Sequence, residues 1–444
     1  MSETLKQLNL PGVPRAKQGR EVAPEWAWTQ ASVWSERMLA TLVRGIEGAK
    51  WYSLMDKVWK KDNLDNALKA VARNAGAAGT DGVSVEKYLK TRPQRLMHLQ
   101  ERLRAGTYTP QPVKRVWIPK LGSKEKRPLG IPTVEDRVVQ TAVRNVIEPI
   151  FENLFAEHSY GFRPRRGAKD ALREVDARLK SGMEWVVDVD LKGYFDSIAQ
   201  AEMMERVAEH IADGALMELL ERFLKQGVME SGKGWQPTEM GTPQGAVISP
   251  LLANLYLNAL DHMMAEAGKI MVRYADDFVI LCGSQAEAEE TLKQLRGWVE
   301  EAGLILHPTK TRIVNTKQPG GFDFLGYHFE SGYRKPRKKS MDKLRETIRE
   351  KTGRTRSGKL EEIIQDINRT LVGWYEYFKH SWRYVFEPID GWVWGRLRSL
   401  LRKRHKGHGR GRGRDHQRWP NAYFANLGLI SLALARSKAR QSPT

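Results

Sequence analysis

The chain has 444 residues, 41% hydrophobic and 28% charged, a globular composition that excludes disorder as a description of the whole and predicts roughly two to four domains. Lys and Arg number 73 against 53 Asp and Glu, a formal charge of +20, which favours a polyanion such as nucleic acid as partner. No apolar run approaches the ~20 residues that span a bilayer, no signal-peptide stretch opens the chain, and the single cysteine and scattered histidines exclude an intrachain disulfide and predict no zinc site; the expectation is a soluble, cytoplasmic protein with no membrane partner.

Residues 1–30 are polar and broken by Pro11, Pro14 and Pro24, predicting a loosely docked tail that runs to residue 34. Apolar residues at helical spacing follow from Ser35 to about Lys60, and 74–82 (NAGAAGTDG) is a glycine-rich loop without the Gly-Lys-Ser/Thr of a phosphate-binding P-loop. A strand is predicted over 113–119, a turn at Gly122 and Ser123, and an amphipathic helix over 136–150. The basic loop 160–167 (YGFRPRRG) leads into a helix marked by Leu172, Val175 and Leu179.

The middle of the chain is the most regular. Residues 184–191 (EWVVDVDL) read as a strand, 198–226 as one helix, and 270–282 (IMVRYADDFVILC) as two strands around a turn. Ser284 and Glu287 predict a capping box, and Gly303 stands where a helix ends before a last strand region. The order β-α-β-β-α-β is that of a split, ferredoxin-like sheet in an α+β protein. Beyond Glu330 the composition turns basic. Residues 334–359 and the tract KRHKGHGRGRGRDHQR (403–418) flank two predicted helices, 360–380 and 388–402. A charge run is ordinarily a solvated face. Glycine alternating with arginine suits an adaptable cationic loop, however, and nucleic-acid contact is the expectation. Trp374, Tyr375, Tyr377 and Phe378 read as core and domain seam, and Cys282 as a buried strand residue.

Asp276 and Asp277 are the informative pair, since adjacent carboxylates at a hairpin tip repel unless a cation neutralises them. Mg²⁺ suits oxygen ligands and keeps waters and substrate phosphates as partners. A third acid comes from 184–191, where Asp188 and Asp190 share one face; either completes a site of the two-metal type. Lys120 and Arg127, bracketing a turn, suit a triphosphate.

Eight segments in order carry a resemblance: GTDG (79–82), VKRVWIPK (113–120), RPLGIPTVEDRVVQ (127–140), SYGFRPRRG (159–167), VVDVDLKGYFDSI (186–198), GTPQGAVISPLLANLYL (241–257), YADD (274–277) and FDFLGYHF (322–329). From about residue 35 onward the chain resembles a bacterial group II intron-encoded reverse transcriptase, a combined polymerase and maturase. The resemblance implies a right-hand polymerase: a tail (1–34), an N-terminal extension and fingers (35–183), a palm (184–330), a helical thumb or maturase domain (331–402), and a basic Gly-Arg loop with a C-terminal segment (403–444). It implies catalytic, metal-holding Asp190, Asp276 and Asp277 with two Mg²⁺ ions, selecting Asp190 over Asp188 through its D-x-K-x-x-F-D pattern. Nucleotide contacts are implied at Lys120, Arg127, Phe195, Gln244 and Lys310, Phe195 acting as the ring that rejects a ribose 2′ hydroxyl. Template or primer contacts fall on Gly245, Tyr274 and Gly326, and RNA contacts on Arg337, Lys338, Lys339, Arg410, Arg412 and Arg414. The implied partners are intron RNA, an RNA template with a DNA primer, dNTPs and target DNA, in a bacterial cytoplasm, serving splicing and retromobility. Relatives with an HNH endonuclease carry Cys-pair zinc ligands, and the single cysteine predicts that domain's absence. Two alternatives stay open: a splicing cofactor whose polymerase is weak or dispensable, and a reverse transcriptase of a retron, defence or CRISPR-linked system.

Overall fold

The computed structural model describes residues 26–45, 50–119 and 126–441. Its strands are, in chain order, β1 (Val113–Pro119), β2 (Lys126–Ile131), β3 (Trp185–Asp190), β4 (Val228–Glu230), β5 (Gly234–Gln236) and β6 (Ile270–Tyr274). After these come β7 (Asp277–Cys282), β8 (Arg312–Asn315), β9 (Phe322–Phe324), β10 (Tyr327–Glu330) and β11 (Tyr333–Pro336). They make three sheets, ordered β2-β1-β4-β5, β6-β7-β3-β8 and β11-β10-β9.

The central sheet, β6-β7-β3-β8, is antiparallel throughout and has the expected β-α-β-β-α-β order. Strand alternation divides its residues between two faces. Val187, Val189, Met271, Phe278 and Ile280 enter the main core, where the helices Ser249–Glu266 and Gln285–Glu301 pack. Val186, Val272, Val279 and Leu281 meet a smaller core built from the helix Ala168–Lys180 and from Phe322, Phe324, Tyr327 and Phe329 of β9 and β10. The registers Asp190↔Asp277 and Tyr274↔Asp277 put both aspartates and Tyr274 on this second face. The long helix Val134–Glu152 starts at Thr133, whose hydroxyl accepts from Asp136 N (3.1 Å), and runs through the middle of the main core.

Three expectations are corrected. The tail does not reach residue 34: Trp26, Val33 and Trp34 are buried in the main core, and Trp34 Nε1 donates to Asn145 O (3.0 Å). Large indole surfaces outweigh the polar composition around them. The helix expected over 198–226 is two, Gln200–Ala208 and Gly214–Lys225. Asp213 caps the second by accepting from Leu216 N (3.1 Å), and the same carboxylate accepts from Leu54 N (2.6 Å) and Met55 N (2.8 Å). A cap tied to a distant segment is stronger than helix continuation. Finally, 403–441 is not merely an appended loop. Trp419, Phe424, Leu429 and Leu432 share one core with the helices Lys338–Lys351, Leu360–Phe378 and Phe386–Arg404. Asp390 fastens the chain end by accepting from Ser431 Oγ, Leu432 N and Ala433 N at 2.7–3.0 Å.

Tyr375 and Phe378 are buried and Trp374 touches both the C-terminal and the small central core, the seam expected of these aromatics. Among the described residues no helix is long and apolar enough to cross a membrane.

Candidate active site

The site is the open end of the second sheet face, where apolar packing stops and Asp190, Asp276 and Asp277 meet. Asp190 and Asp277 are directly opposed on β3 and β7, and Asp276 stands in the hairpin tip beside them. Two residues turn the chain from β6 to β7, which requires a left-handed conformation that Ala275 adopts at φ +60°. A non-glycine residue there needs support. Arg273 supplies it from the opposite face of β6: fully buried, it donates from Nη1 to Ala275 O (3.0 Å) and to Asn254 Oδ1 (2.9 Å), and from Nε to Asp261 Oδ1 (2.8 Å). Gly161 closes the tip from the side. A Cβ there would strike Ala275 N, so only glycine allows this approach. Its segment is hydrogen-bonded to β6 through Tyr160 N to Arg273 O (2.8 Å) and Arg273 N to His158 O (3.0 Å).

Burial pushes the Asp277 carboxyl up to about 7, with the like charges of Asp276, Asp188 and Asp190 adding to it. Burial also raises Asp276, while the Arg127 charge, arriving from β2, opposes that rise. Asp188 is pushed up to about 6 by burial against the opposing charge of Arg312, its ion-pair partner at 3.4 Å. Lys310 pairs with Asp190 Oδ2. The donor set is wholly carboxylate oxygen, the chemistry of a hard divalent cation, and a cation among these crowded acids would relieve their repulsion. Among the described residues no three His, Cys, Asp or Glu side chains are already drawn into ligand positions.

Phe195 lies three residues past Lys192, half-buried, its ring 5.4 Å from that of Tyr194. Its carbonyl accepts from Thr242 N (2.8 Å), so the GTPQG loop is docked on the Phe195 turn. Gln244 Nε2 donates to Asp196 Oδ2 (3.1 Å), and Gly130 N donates to Gln244 O (2.6 Å), which joins this loop to β2. Gly245, at φ +108°, lies so close to β2 that a Cβ would come within 2.5 Å of Gly130 O. A cleft of about 190 Å³ opens beside Gln244, between Arg115 and Asp196. Phe195, Gln244 and Gly245 are thus gathered beside β2, the strand that carries Arg127.

Tyr274 is half-buried on the carboxylate face, 6.3 Å ring to ring from Phe162. Gly326 lies in the β9–β10 turn. Lys120 lies outside the described residues. Lys338, Lys339, Arg410, Arg412 and Arg414 are all exposed, away from any buried site. Arg337 differs from them: it is half-buried and its charge reaches Asp277. Sequence reasoning missed Arg273, Asp261 and Asn254. The available signal was a lone arginine inside the otherwise apolar strand IMVRY, since a charge in a buried strand demands a partner.

Residues 118–329 match the family described as reverse transcriptase (RNA-dependent DNA polymerase), and 341–419 match the group II intron, maturase-specific domain. Protein YkfC of Escherichia coli is 33% identical over 333 residues, covering 66% of this chain and 86% of its own. The chain belongs to the group II intron-encoded reverse transcriptases. The family's two domains map onto the structure directly: the reverse-transcriptase domain covers the finger strands and the palm sheet, and the maturase domain most of the C-terminal helical core. The chain is an α+β reverse transcriptase, and a domain of this kind works with divalent metal. Group II intron-encoded protein LtrA of Lactococcus lactis is 42% identical over 314 residues, 56% of this chain and 50% of LtrA, so the match spans half of that relative's length. A telomerase chain from Candida albicans, solved with a fragment of telomeric RNA, is similar over 78% of this chain and 69% of its own, at 12% identity and a TM-score of 0.42. So slight a likeness carries no functional argument.

Proposed function

We propose that the chain adds dNTPs to the 3′ hydroxyl of a DNA primer on an RNA template, and that it binds group II intron RNA to promote splicing and the intron's movement into target DNA. The observation that carries this reading is the meeting of Asp190, Asp276 and Asp277 at one end of the palm sheet of a strongly basic family member. Those three carboxylates would hold two Mg²⁺ ions. Bound there, such ions favour the ionised primer hydroxyl and take up charge on the departing pyrophosphate. Arg127, with Lys120, grips the triphosphate, and Lys310 meets the pyrophosphate as it leaves. Gln244 and Gly245 face the nascent base pair, and Tyr274 and Gly326 the primer end. Phe195 lies beneath the incoming sugar, leaving a 2′ hydroxyl neither room nor partner. The exposed cations Lys338, Lys339, Arg410, Arg412 and Arg414 contact RNA phosphates. The expected place of action is the bacterial cytoplasm, on nucleic acid.

Extension of a DNA primer on an RNA template with dNTPs and Mg²⁺ tests the polymerase reading, and an active preparation that binds primer-template without extending it overturns it. In the same assay Phe195→Ala raises ribonucleotide incorporation, so that dNTP over rNTP preference falls by about 10- to 100-fold. Unchanged discrimination removes Phe195 from the sugar site.

A further inference from the structure

The hairpin β10–β11 turns at Ser331 and Gly332, at the end away from Gly326, and three aromatic rings gather there on the surface. Tyr333 opens β11 opposite Glu330. Trp382, in the connection between the helices Leu360–Phe378 and Phe386–Arg404, stacks on Tyr333 with ring centroids 4.9 Å apart and planes 24° from parallel. Tyr384 meets Trp382 edge to face at 4.8 Å.

Burial does not account for these rings, since Trp382 is 46% exposed and Tyr384 50%. The seam between hairpin and helices is fastened without them. Trp382 N donates to Arg334 O (2.8 Å), Arg334 Nε donates to His380 O (3.3 Å), and the buried rings of Tyr327 and Phe378 pack 4.9 Å apart. An indole and a phenol held half in water forgo much of the gain that burial would bring. Apolar residues exposed singly are ordinary, whereas a contiguous exposed group marks a surface that meets a partner.

Charge selects that partner. The Arg383 guanidinium lies 4.5 Å from the centre of the Tyr384 ring and donates to the Tyr384 hydroxyl, and among the described residues it has no carboxylate partner. Lys335 Nζ, paired with Glu330 at 3.0 Å, stands 5.7 Å from the centre of the Tyr333 ring. Flat rings edged by cations, in a chain of net charge +20, suit a polyanion whose units carry flat faces of their own. In a duplex those faces are covered by neighbouring pairs, so the group suits unpaired nucleotides, which RNA offers in its loops and bulges. Trp382 and Tyr384 belong to the maturase domain, which points to the intron RNA as their source.

We propose that Tyr333, Trp382 and Tyr384 form a stacking platform for unpaired nucleotides of the intron RNA, with Arg383 holding an adjacent phosphate. This inference rests on the RNA-binding reading given above. It adds contacts to bases where that reading has only exposed cations on phosphates.

The test uses a transcript of the intron that encodes the chain. Hydroxyl-radical oxidation of wild-type protein, free and bound to this RNA, is read residue by residue by mass spectrometry. Bound RNA should slow oxidation of Trp382 and Tyr384 several-fold, and a fully paired primer-template should not. Trp382→Ala should weaken RNA binding about 10-fold and leave its salt dependence unchanged, because stacking releases no counterion. Trp382→Phe, which keeps a ring, should recover part of that loss. Arg383→Gln should instead make the salt dependence shallower by about one unit of slope. Primer extension by Trp382→Ala should stay within about twofold of wild type. The platform is overturned if RNA leaves both rings as reactive as before, if Trp382→Ala binds RNA as tightly as wild type, or if the paired primer-template protects them equally. The oxidation measurement needs no variant, so a misfolded Trp382→Ala does not shelter the proposal. Wild type that fails to bind the intron RNA removes the RNA-binding reading itself, and wild type that binds it without protecting these rings removes only the platform.

Discussion

Asp277→Asn should abolish primer extension, by at least ~10³-fold, and yet make the metal-free protein more stable at pH 8. The reason is the cost of holding this carboxylate ionised in the fold. Burial, with Asp276, Asp188 and Asp190 adjacent, pushes the Asp277 carboxyl up to about 7, against an ordinary 3.8. A group raised in this way contributes stability that is fully present below its unfolded value and is lost as pH rises toward and through its folded value. The stability difference between Asp277→Asn and wild type should therefore be small near pH 4, grow up to about pH 7 and level off above it, reaching about 4 kcal/mol. Urea unfolding midpoints measured with chelator across that range check the sign. Added Mg²⁺ should then stabilise wild type more than the variant, because a ligand that binds only the folded state shifts the equilibrium toward it. A variant that is less stable at pH 8 and shows no pH dependence relative to wild type contradicts this electrostatic account of the site.

Replacing Arg273 should be the most damaging single change outside the carboxylates. Its guanidinium is fully buried and bonded to Asp261, Asn254 and the Ala275 carbonyl. Arg273→Ala leaves the Asp261 carboxylate buried without its partner, a loss of roughly 3–5 kcal/mol. It also removes the bond that holds Ala275 in its left-handed turn, so the remaining folded protein should extend primers at least ~10²-fold more slowly. Arg273→Lys should rescue little, because one ammonium cannot reproduce a fork reaching three acceptors. Paired measurements of unfolding midpoint and single-turnover extension check both effects. A lysine variant close to wild type in both would show that the hairpin does not depend on this network.

Much of the palm was legible in the chain because its signals are local. Alternation in EWVVDVDL, the apolar strands around YADD, the Ser284 cap and Gly303 mark each element at short range. The choice between Asp188 and Asp190 was not legible from spacing, since both share a face. Pairing separates them: Asp190 stands opposite Asp277, whereas Asp188 stands opposite Val279 and pairs with Arg312. The Arg273 network escaped because its partners lie 12 and 19 residues away on a helix packed behind the sheet. The helix break before Gly214 depends on Asp213 meeting Leu54 and Met55, a contact across about 160 positions that no local pattern announces. In the basic tract, charge alone made Arg337, Lys338 and Lys339 equivalent. Their difference arises only in the fold, where Arg337 N donates to Gly326 O (2.9 Å) and its side chain is half-buried while both lysines are exposed.

The central claim is that one end of the palm sheet performs polymerisation while the basic C-terminal domain carries RNA affinity. The most direct measurement compares wild type and Asp276→Ala for Mg²⁺-dependent primer extension on an RNA template and, on the same preparations, for intron RNA binding. The account predicts cDNA from wild type, none from Asp276→Ala, and RNA affinity within about twofold between them, because Asp276 lies in the hairpin tip of the palm sheet whereas the exposed RNA-contact cations lie on C-terminal elements. Extension by Asp276→Ala at a rate near wild type would contradict the placement of the active site.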